Sequence, residues 1–258
     1  RLGDARGRVR LGRLQPPGSV LKETLCEFVE AGLGDFLLWL QGDVDGASPL
    51  ARYPPAEFFG YMAYAHLSSL LEGHPELPAA AACFSWERFG VGHGDGMEST
   101  VWIGGQGAHT ACHYDTYAGV NLVAQLCGRK QWTLFPPVDT PLLRPCREPY
   151  EESTVWSSMS KPEAVPGVHC FVAVLEPGEV LVVPRHWWHK VECLSTSVSI
   201  NQWVPSPLDV PARVEEAVTR HLACTLQLRR HEGSTHWLVP GERLGTSDED
   251  VADMAAAV

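Results

Sequence analysis

One residue separates His113 from Asp115, and a second histidine, His189, ends the run Pro184-Arg185-His186-Trp187-Trp188-His189 far downstream. On a β-strand, residues i and i+2 project to the same face, so His-x-Asp aims an imidazole and a carboxylate into one cavity. A third ligand can join them only if a distant strand folds back beside the first. This demand constrains the chain more than any other feature, because it asks for strands closed around an interior. Two imidazoles and one carboxylate form the facial set that holds non-haem Fe(II) and leaves positions open for a co-substrate and O2. His-x-Asp alone also arises by chance, and a solitary histidine is more often a hydrogen-bonded structural residue than a ligand. The distal histidine and the neighbouring residues give the metal reading its weight.

Those neighbours read as strands. Gly178 to Pro184 is a turn followed by an apolar run, and Val191 resumes the pattern after His189. Asn121 opens Asn121-Leu122-Val123-Ala124-Gln125-Leu126, Gly128 permits a tight turn, and Lys130-Gln131-Trp132-Thr133-Leu134-Phe135 returns. Pro136-Pro137 stops that return, since proline cannot continue a central strand. The hairpin is expected to set Asn121 and Lys130 on adjacent strands. A lysine pointing into a barrel is costly unless it meets an anion, and a dicarboxylate would supply one. Against this, lysines are mostly solvated, and Thr110 and Asn121 can equally serve local backbone.

Several stretches resemble a JmjC domain: Trp102-Ile103-Gly104, Ala108 to Asp115, Asn121 to Thr140, Pro177 to His189, and Ser199-Ile200-Asn201-Gln202-Trp203. The resemblance runs from about Glu23 to about Leu226. Pro149 to Ser153 and Ala212 to Ala217 narrow it to a subgroup associated with small heat-shock proteins. That subgroup is related to the asparaginyl hydroxylase that inhibits hypoxia-inducible factor. The resemblance implies a mainly β fold, a double-stranded β-helix (the cupin-like jelly roll) with flanking helices and a C-terminal helix. It implies Fe(II) on His113, Asp115 and His189. Thr110 and Lys130 would then bind the distal carboxylate of 2-oxoglutarate, and Asn121 and Asn201 would line the co-substrate pocket. Trp102, Tyr117 and Trp203 would line the substrate pocket, and no catalytic residue is implied beyond the metal ligands. Two departures stand out. Thr116 to Val120 is longer than in the asparaginyl hydroxylase, and no residue is placed as that enzyme's upstream 2-oxoglutarate tyrosine.

The implied activity is an Fe(II)- and 2-oxoglutarate-dependent dioxygenase that consumes O2 and hydroxylates a protein side chain. The rival is a non-catalytic or weakly catalytic JmjC binding module that associates with small heat-shock proteins in the stress response. A third reading is a zinc or other divalent-metal cupin, with Cys112 or Cys193 as a thiolate ligand.

Composition narrows the setting. A net charge of -11 argues against nucleic acid, whose affinity comes mainly from Lys and Arg at phosphates. The eight cysteines include no C-x-x-C pair, which disfavours structural zinc and fits a reducing cytoplasm or nucleus. Neither a signal peptide nor a membrane span is visible in the sequence.

Four segments are expected along the chain. Residues 1–22, with Arg6, Arg8, Arg10 and Arg13, read as a disordered basic arm or a truncated terminus. Residues 23–208 form the JmjC domain with its N-terminal flanking elements, including a short helix at Leu33–Leu40. Residues 209–230 read as a helix with Val210, Val214, Ala217, Val218, Leu222 and Leu226 on one face, packing on the barrel or forming a homodimer. Residues 231–258 read as a disordered tail. Residues 141–166 form a long insertion, expected as a substrate-facing lid, and Gly90–Gly96 is a loop.

Overall fold

Alternating apolar residues through the middle of the chain place strands in two antiparallel sheets. The computed structural model describes residues 5–16, 19–71, 85–91, 99–116, 119–151 and 153–225. The first elements are β1 (Arg6–Arg13), β2 (Glu27–Gly32), α1 (Leu33–Leu40), β3 (Phe58–His66) and α2 (Leu67–Leu71). Then come β4 (Thr100–Gly104), β5 (His109–Asp115), β6 (Val120–Cys127), β7 (Lys130–Phe135), α3 (Thr140–Leu143), β8 (Pro145–Glu151) and β9 (Thr154–Ser157). The chain continues with β10 (Phe171–Leu175), β11 (Val180–Pro184), β12 (Trp188–Cys193), β13 (Ser197–Val204) and α4 (Asp209–Thr225).

One sheet runs β11-β6-β13-β4-β3-β1-β2 and the other β10-β7-β12-β5-β9-β8. The first four strands of each form the eight-stranded jelly roll. The remaining strands widen each sheet beyond β4 and β5. Asn121 and Lys130 are therefore not on paired strands, contrary to the hairpin expectation, because β6 and β7 belong to different sheets. The chain turns this corner at Gly128, whose φ is +64° and where a Cβ would lie 2.0 Å from the Thr196 carbonyl oxygen. Only glycine fits there.

Two expectations need correction. The arginine-rich start is not a disordered arm: Arg6–Arg13 is a strand hydrogen-bonded to both β2 and β3. Val9 and Leu11 alternate with the arginines and are wholly buried among Phe36, Trp39 and Met62. Nor is 141–166 a loop without secondary structure. It supplies α3, β8 and β9, and β9 pairs with β5 so that Trp156 faces His113. All four residues of β9 are buried, and Val155 packs with Leu143 against Cys112, Phe135 and Trp188.

The helix at Leu33–Leu40 forms as expected, burying Leu33, Phe36 and Trp39. Helix α4 packs through buried polar residues, with Val214 and Ala217 of its apolar stripe half-buried and the rest of the described stripe exposed. Glu216 and Arg220 are buried, while Val210, Val218 and Leu222 are exposed. Both Glu216 carboxylate oxygens accept from Arg147 at 2.8 Å, and Oε1 also accepts from Ser153 N at 3.1 Å. Residues 226–258 lie outside the described residues, as does most of Gly90–Gly96. Among the described residues, no helix is long and apolar enough to cross a membrane.

Candidate metal centre

β5 and β12 pair antiparallel, with His189 directly opposite His113. The two imidazole centroids are 4.2 Å apart. Asp115, two residues beyond His113, brings Oδ1 to 3.9 Å from His113 Nε2. One ligand atom from each of His113, Asp115 and His189 lies within 4.8 Å of the others. Among the described residues this metal-ligating group contains no cysteine. Cys112 points to the opposite face of β5, where it packs with Phe135, Leu143 and Trp188. Cys193 packs with Phe59, Tyr61 and Ala108. The thiolate-ligand reading therefore fails for both cysteines.

The groups around the triad orient it. His113 Nδ1 is 2.8 Å from the Ala111 carbonyl, and His189 Nδ1 is 3.0 Å from the Trp187 carbonyl. Nδ1–H donates in each case, which leaves Nε2 with its lone pair toward the cavity. Trp203 Nε1 donates to Asp115 Oδ2 at 3.3 Å. Trp132 stacks against His189 and Trp156 tilts onto His113, with centroids 5.6 and 5.4 Å away. Burial holds the His113 imidazole well below its usual pKa, and neighbouring His189 adds to this. Burial also raises the Asp115 carboxyl. A divalent cation would relieve both effects, since it takes a neutral imidazole and an ionised carboxylate.

The triad opens into a cavity of about 910 Å³. Thr110, Lys130, Asn121, Asn201, Trp102 and Trp203 all line it. Tyr117 lies outside the described residues. Lys130 is 1% exposed. Its Nζ donates to Ser199 Oγ at 2.6 Å and to Tyr61 Oη at 3.2 Å, and no carboxylate of the described residues pairs with it. Burial pulls this ammonium below its ordinary pKa, and Arg10 lowers it further. Asn201 donates to Asn121 Oδ1 at 2.8 Å and accepts from Trp102 Nε1 at 2.7 Å. These three residues form one hydrogen-bonded row.

The sequence reading missed four residues at this end. Tyr61, in β3, is buried beside Lys130, and the cations of Lys130 and Arg10 lie 5.2 and 4.9 Å from its ring centroid. Arg10 pairs with buried Glu23 and donates to the His109 carbonyl at 2.6 Å. Ser199 stands beneath the Lys130 ammonium. The one signal for Tyr61 was its i+2 spacing from buried Phe59. Within an aromatic-rich run, that spacing reads equally as core packing.

Residues 51–209 match the family of cupin-like domains. The chain is 44% identical over 255 residues to HSPB1-associated protein 1 of Mus musculus, covering 94% of this chain and 51% of that protein. It is 39% identical over 262 residues to the Danio rerio homologue, covering 97% and 58%. Over a shorter stretch, 109 residues, it is 28% identical to the 2-oxoglutarate and iron-dependent oxygenase JMJD4 of Mus musculus, covering 40% of this chain and 26% of that one. The chain thus spans about half the length of the HSPB1-associated relatives it matches.

Proposed function

The chain belongs to the cupin-like family of JmjC type, and from that premise we propose that it is an Fe(II)- and 2-oxoglutarate-dependent dioxygenase that hydroxylates a protein side chain. The observation that carries this reading is Lys130. A buried ammonium without a carboxylate partner among the described residues faces the same cavity as a His-Asp-His set. A buried charge of this kind is costly until an anion meets it.

His113 and His189, through Nε2, and Asp115, through its carboxylate, would hold Fe(II), the donor set suited to that ion. When bound, Fe(II) supplies the oxidising chemistry, in which 2-oxoglutarate and O2 yield succinate, CO2 and a hydroxylated C–H bond. The protein's residues bind and orient. Lys130, Tyr61 and Thr110 would hold the distal carboxylate, and the Trp102–Asn201–Asn121 row would fix the adjoining wall. Trp203 keeps Asp115 turned toward the histidines. Enclosure between the two sheets excludes bulk water.

The test is 2-oxoglutarate decarboxylation. The protein is loaded with Fe(II) anaerobically, O2 is admitted, and succinate is followed with and without candidate substrates. Succinate that disappears in His113→Ala is expected. Its absence despite stoichiometric Fe(II) and bound 2-oxoglutarate, under every substrate condition, would overturn the enzyme reading.

A second reading is favoured by the name of the relatives, HSPB1-associated protein. Under it, the chain is a JmjC module that binds a small heat-shock protein, and association would survive in His113→Ala. The exposed stripe of Val210, Val218 and Leu222 on α4 is the surface through which a homodimer would form. Cys26, Cys112, Cys127, Cys146, Cys170 and Cys193 are all free, which supports placing the protein in the reducing cytoplasm or nucleus.

A further inference from the structure

The peptide unit that follows Asp115 is held from two sides. Thr116 is buried. Its N–H donates to the Ser153 carbonyl at 2.9 Å, and its carbonyl accepts from His186 Nε2 at 3.0 Å. Ser153 stands just before β9, the strand that pairs with β5, and its own N–H donates to Glu216 Oε1 of α4. His186 lies in the turn between β11 and β12, three residues before His189. Thr116 therefore ties the Asp115 end of β5 to the turn from which His189 follows.

Both partners of Thr116 hold a strained backbone. Ser153 has a φ of +58° and His186 a φ of +60°. Residues with a side chain adopt this left-handed region at an energetic cost and keep it where the surroundings demand it. Among the described residues, Arg144 is the one other non-glycine residue to share it. Ser153 serves Thr116 through its backbone, which any residue supplies. His186 serves it through its side chain, so the residue type matters there. It occupies the third position of the turn Pro184–Trp187, closed by the Trp187 N–H on the Pro184 carbonyl at 3.2 Å. With positive φ, that position favours glycine. Histidine supplies what glycine lacks, a ring N–H that reaches Thr116. A carbonyl only accepts, so Nε2 carries the proton.

The ring of His186 lies 5.4 Å from that of Tyr114, centroid to centroid, and shares a recess with Asp115, His189 and Trp203. The turn serves the second imidazole too, because the carbonyl that accepts from His189 Nδ1 belongs to Trp187, the next residue. On the other flank, Arg185 pairs with Asp209 at the start of α4.

We infer that His186 is a positioning residue of the metal centre: its bond to the Thr116 carbonyl holds Asp115 where the carboxylate meets both imidazoles. This role rests on the reading of His113, Asp115 and His189 as the ligands of the proposed dioxygenase. It separates two quantities that a purely structural residue would move together. His186→Gly relieves the positive φ but deletes the bond, so metal affinity falls while ligand-free stability does not. His186→Gln leaves the backbone no better suited, yet keeps an N–H donor at the reach of Nε2.

The test titrates the whole chain with Mn(II), reads free Mn(II) by electron paramagnetic resonance, and melts the ligand-free protein in chelator. His186→Gly is expected to bind Mn(II) about tenfold more weakly than wild type, with a ligand-free Tm no lower. His186→Gln is expected to restore most of the affinity. The visible absorption of the Co(II)-loaded protein should shift in His186→Gly and return in His186→Gln. Should His186→Gly fail to fold, His186→Asn takes its place, since asparagine tolerates the same φ and its amide is too short for Thr116. Affinity unchanged on loss of the bond, affinity that His186→Gln does not restore, or a fall in affinity matched by a fall in Tm would overturn the positioning role alone. A wild type that takes up no Mn(II) would overturn the metal reading itself, and this role with it.

Discussion

His113 and His189 are register partners across β5 and β12, and each commits Nδ1 to the carbonyl two residues before it, Ala111 at 2.8 Å and Trp187 at 3.0 Å. The same local device on two antiparallel strands sets both tautomers without help from a metal. Two Nε2 lone pairs then converge on the space that Asp115 closes from the third side.

Removing a ligand and loosening one should therefore differ in degree. His113→Ala, His189→Ala and Asp115→Ala are expected to abolish stoichiometric Mn(II) or Fe(II) binding. Trp203→Phe, which deletes the hydrogen bond to Asp115 Oδ2 and trims the ring that meets Trp102, should weaken it by about ten- to a hundredfold. Calorimetric titration under anaerobic conditions reads both. Equal loss in Trp203→Phe and Asp115→Ala would mean that Trp203 does more than orient the carboxylate.

Chelation should cost stability. Without a cation, the cavity holds an imidazole that resists protonation and a carboxyl raised by burial. Metal at about a hundred times its Kd adds about 2.7 kcal/mol, or roughly 5–10 °C in Tm for a domain of this size. Because burial raises the Asp115 carboxyl above its ordinary 3.8, protons should begin to displace the metal at a higher pH than for an exposed aspartate. Thermal melts with and without chelator, repeated down the acid range, measure this. A Tm insensitive to chelator would count against a resident cation.

Much of this centre was legible because it is local. His113 and Asp115 share a face by strand period alone, and the turn before Val180 marked the strand that leads to His189. Lys130 was legible as a choice between a solvated and an inward lysine, and only the fold decides between them. β1 was missed for a physical reason: its inward face is Arg6, Arg8 and Arg10, so a reading by charge saw a solvated arm where Val9 and Leu11 anchor a strand. Tyr61 depends on β3 joining the sheet through β4 and β1, a pairing no local pattern encodes. The partition of β6 and β7 between sheets was hidden because a tight turn at Gly128 looks the same in a hairpin and at a jelly-roll corner.

Glu216 bolts α4 to Arg147 of β8 and to Ser153 just before β9, and Ser153 and Thr154 line the cavity. Its carboxylate is buried and its Arg147 partner largely so. Glu216→Ala removes the carboxylate of a half-buried Arg147 and should cost about 1–3 kcal/mol, measured by urea unfolding. Glu216→Gln, which keeps the shape but not the charge, should lose less. A neutral Glu216→Ala would mean that the helix is held by other contacts.

Lys130 makes the sharpest pH prediction. Burial holds its ammonium below the ordinary 10.5 in the folded protein, whereas the unfolded chain keeps an ordinary lysine. Between the lowered value and 10.5 the unfolded state carries the extra proton, so the stability of the ligand-free protein rises with pH across that window. Lys130→Met removes the titration and the buried charge together. It should stabilise the ligand-free protein at neutral pH by about 1 kcal/mol or more, a gap that narrows as the wild type deprotonates. 2-Oxoglutarate reverses the sign, since its carboxylate needs the ammonium. Its affinity should fall as pH rises through the lowered Lys130 value, and Lys130→Met should lose about a hundredfold at neutral pH. Tryptophan-fluorescence titrations of 2-oxoglutarate from neutral pH up to the ordinary lysine value of 10.5, on wild type and Lys130→Met side by side, read the affinity, and urea unfolding over the same range reads the stability. Affinity that is flat across that range, or retained in the variant, would place the diacid elsewhere in the cavity.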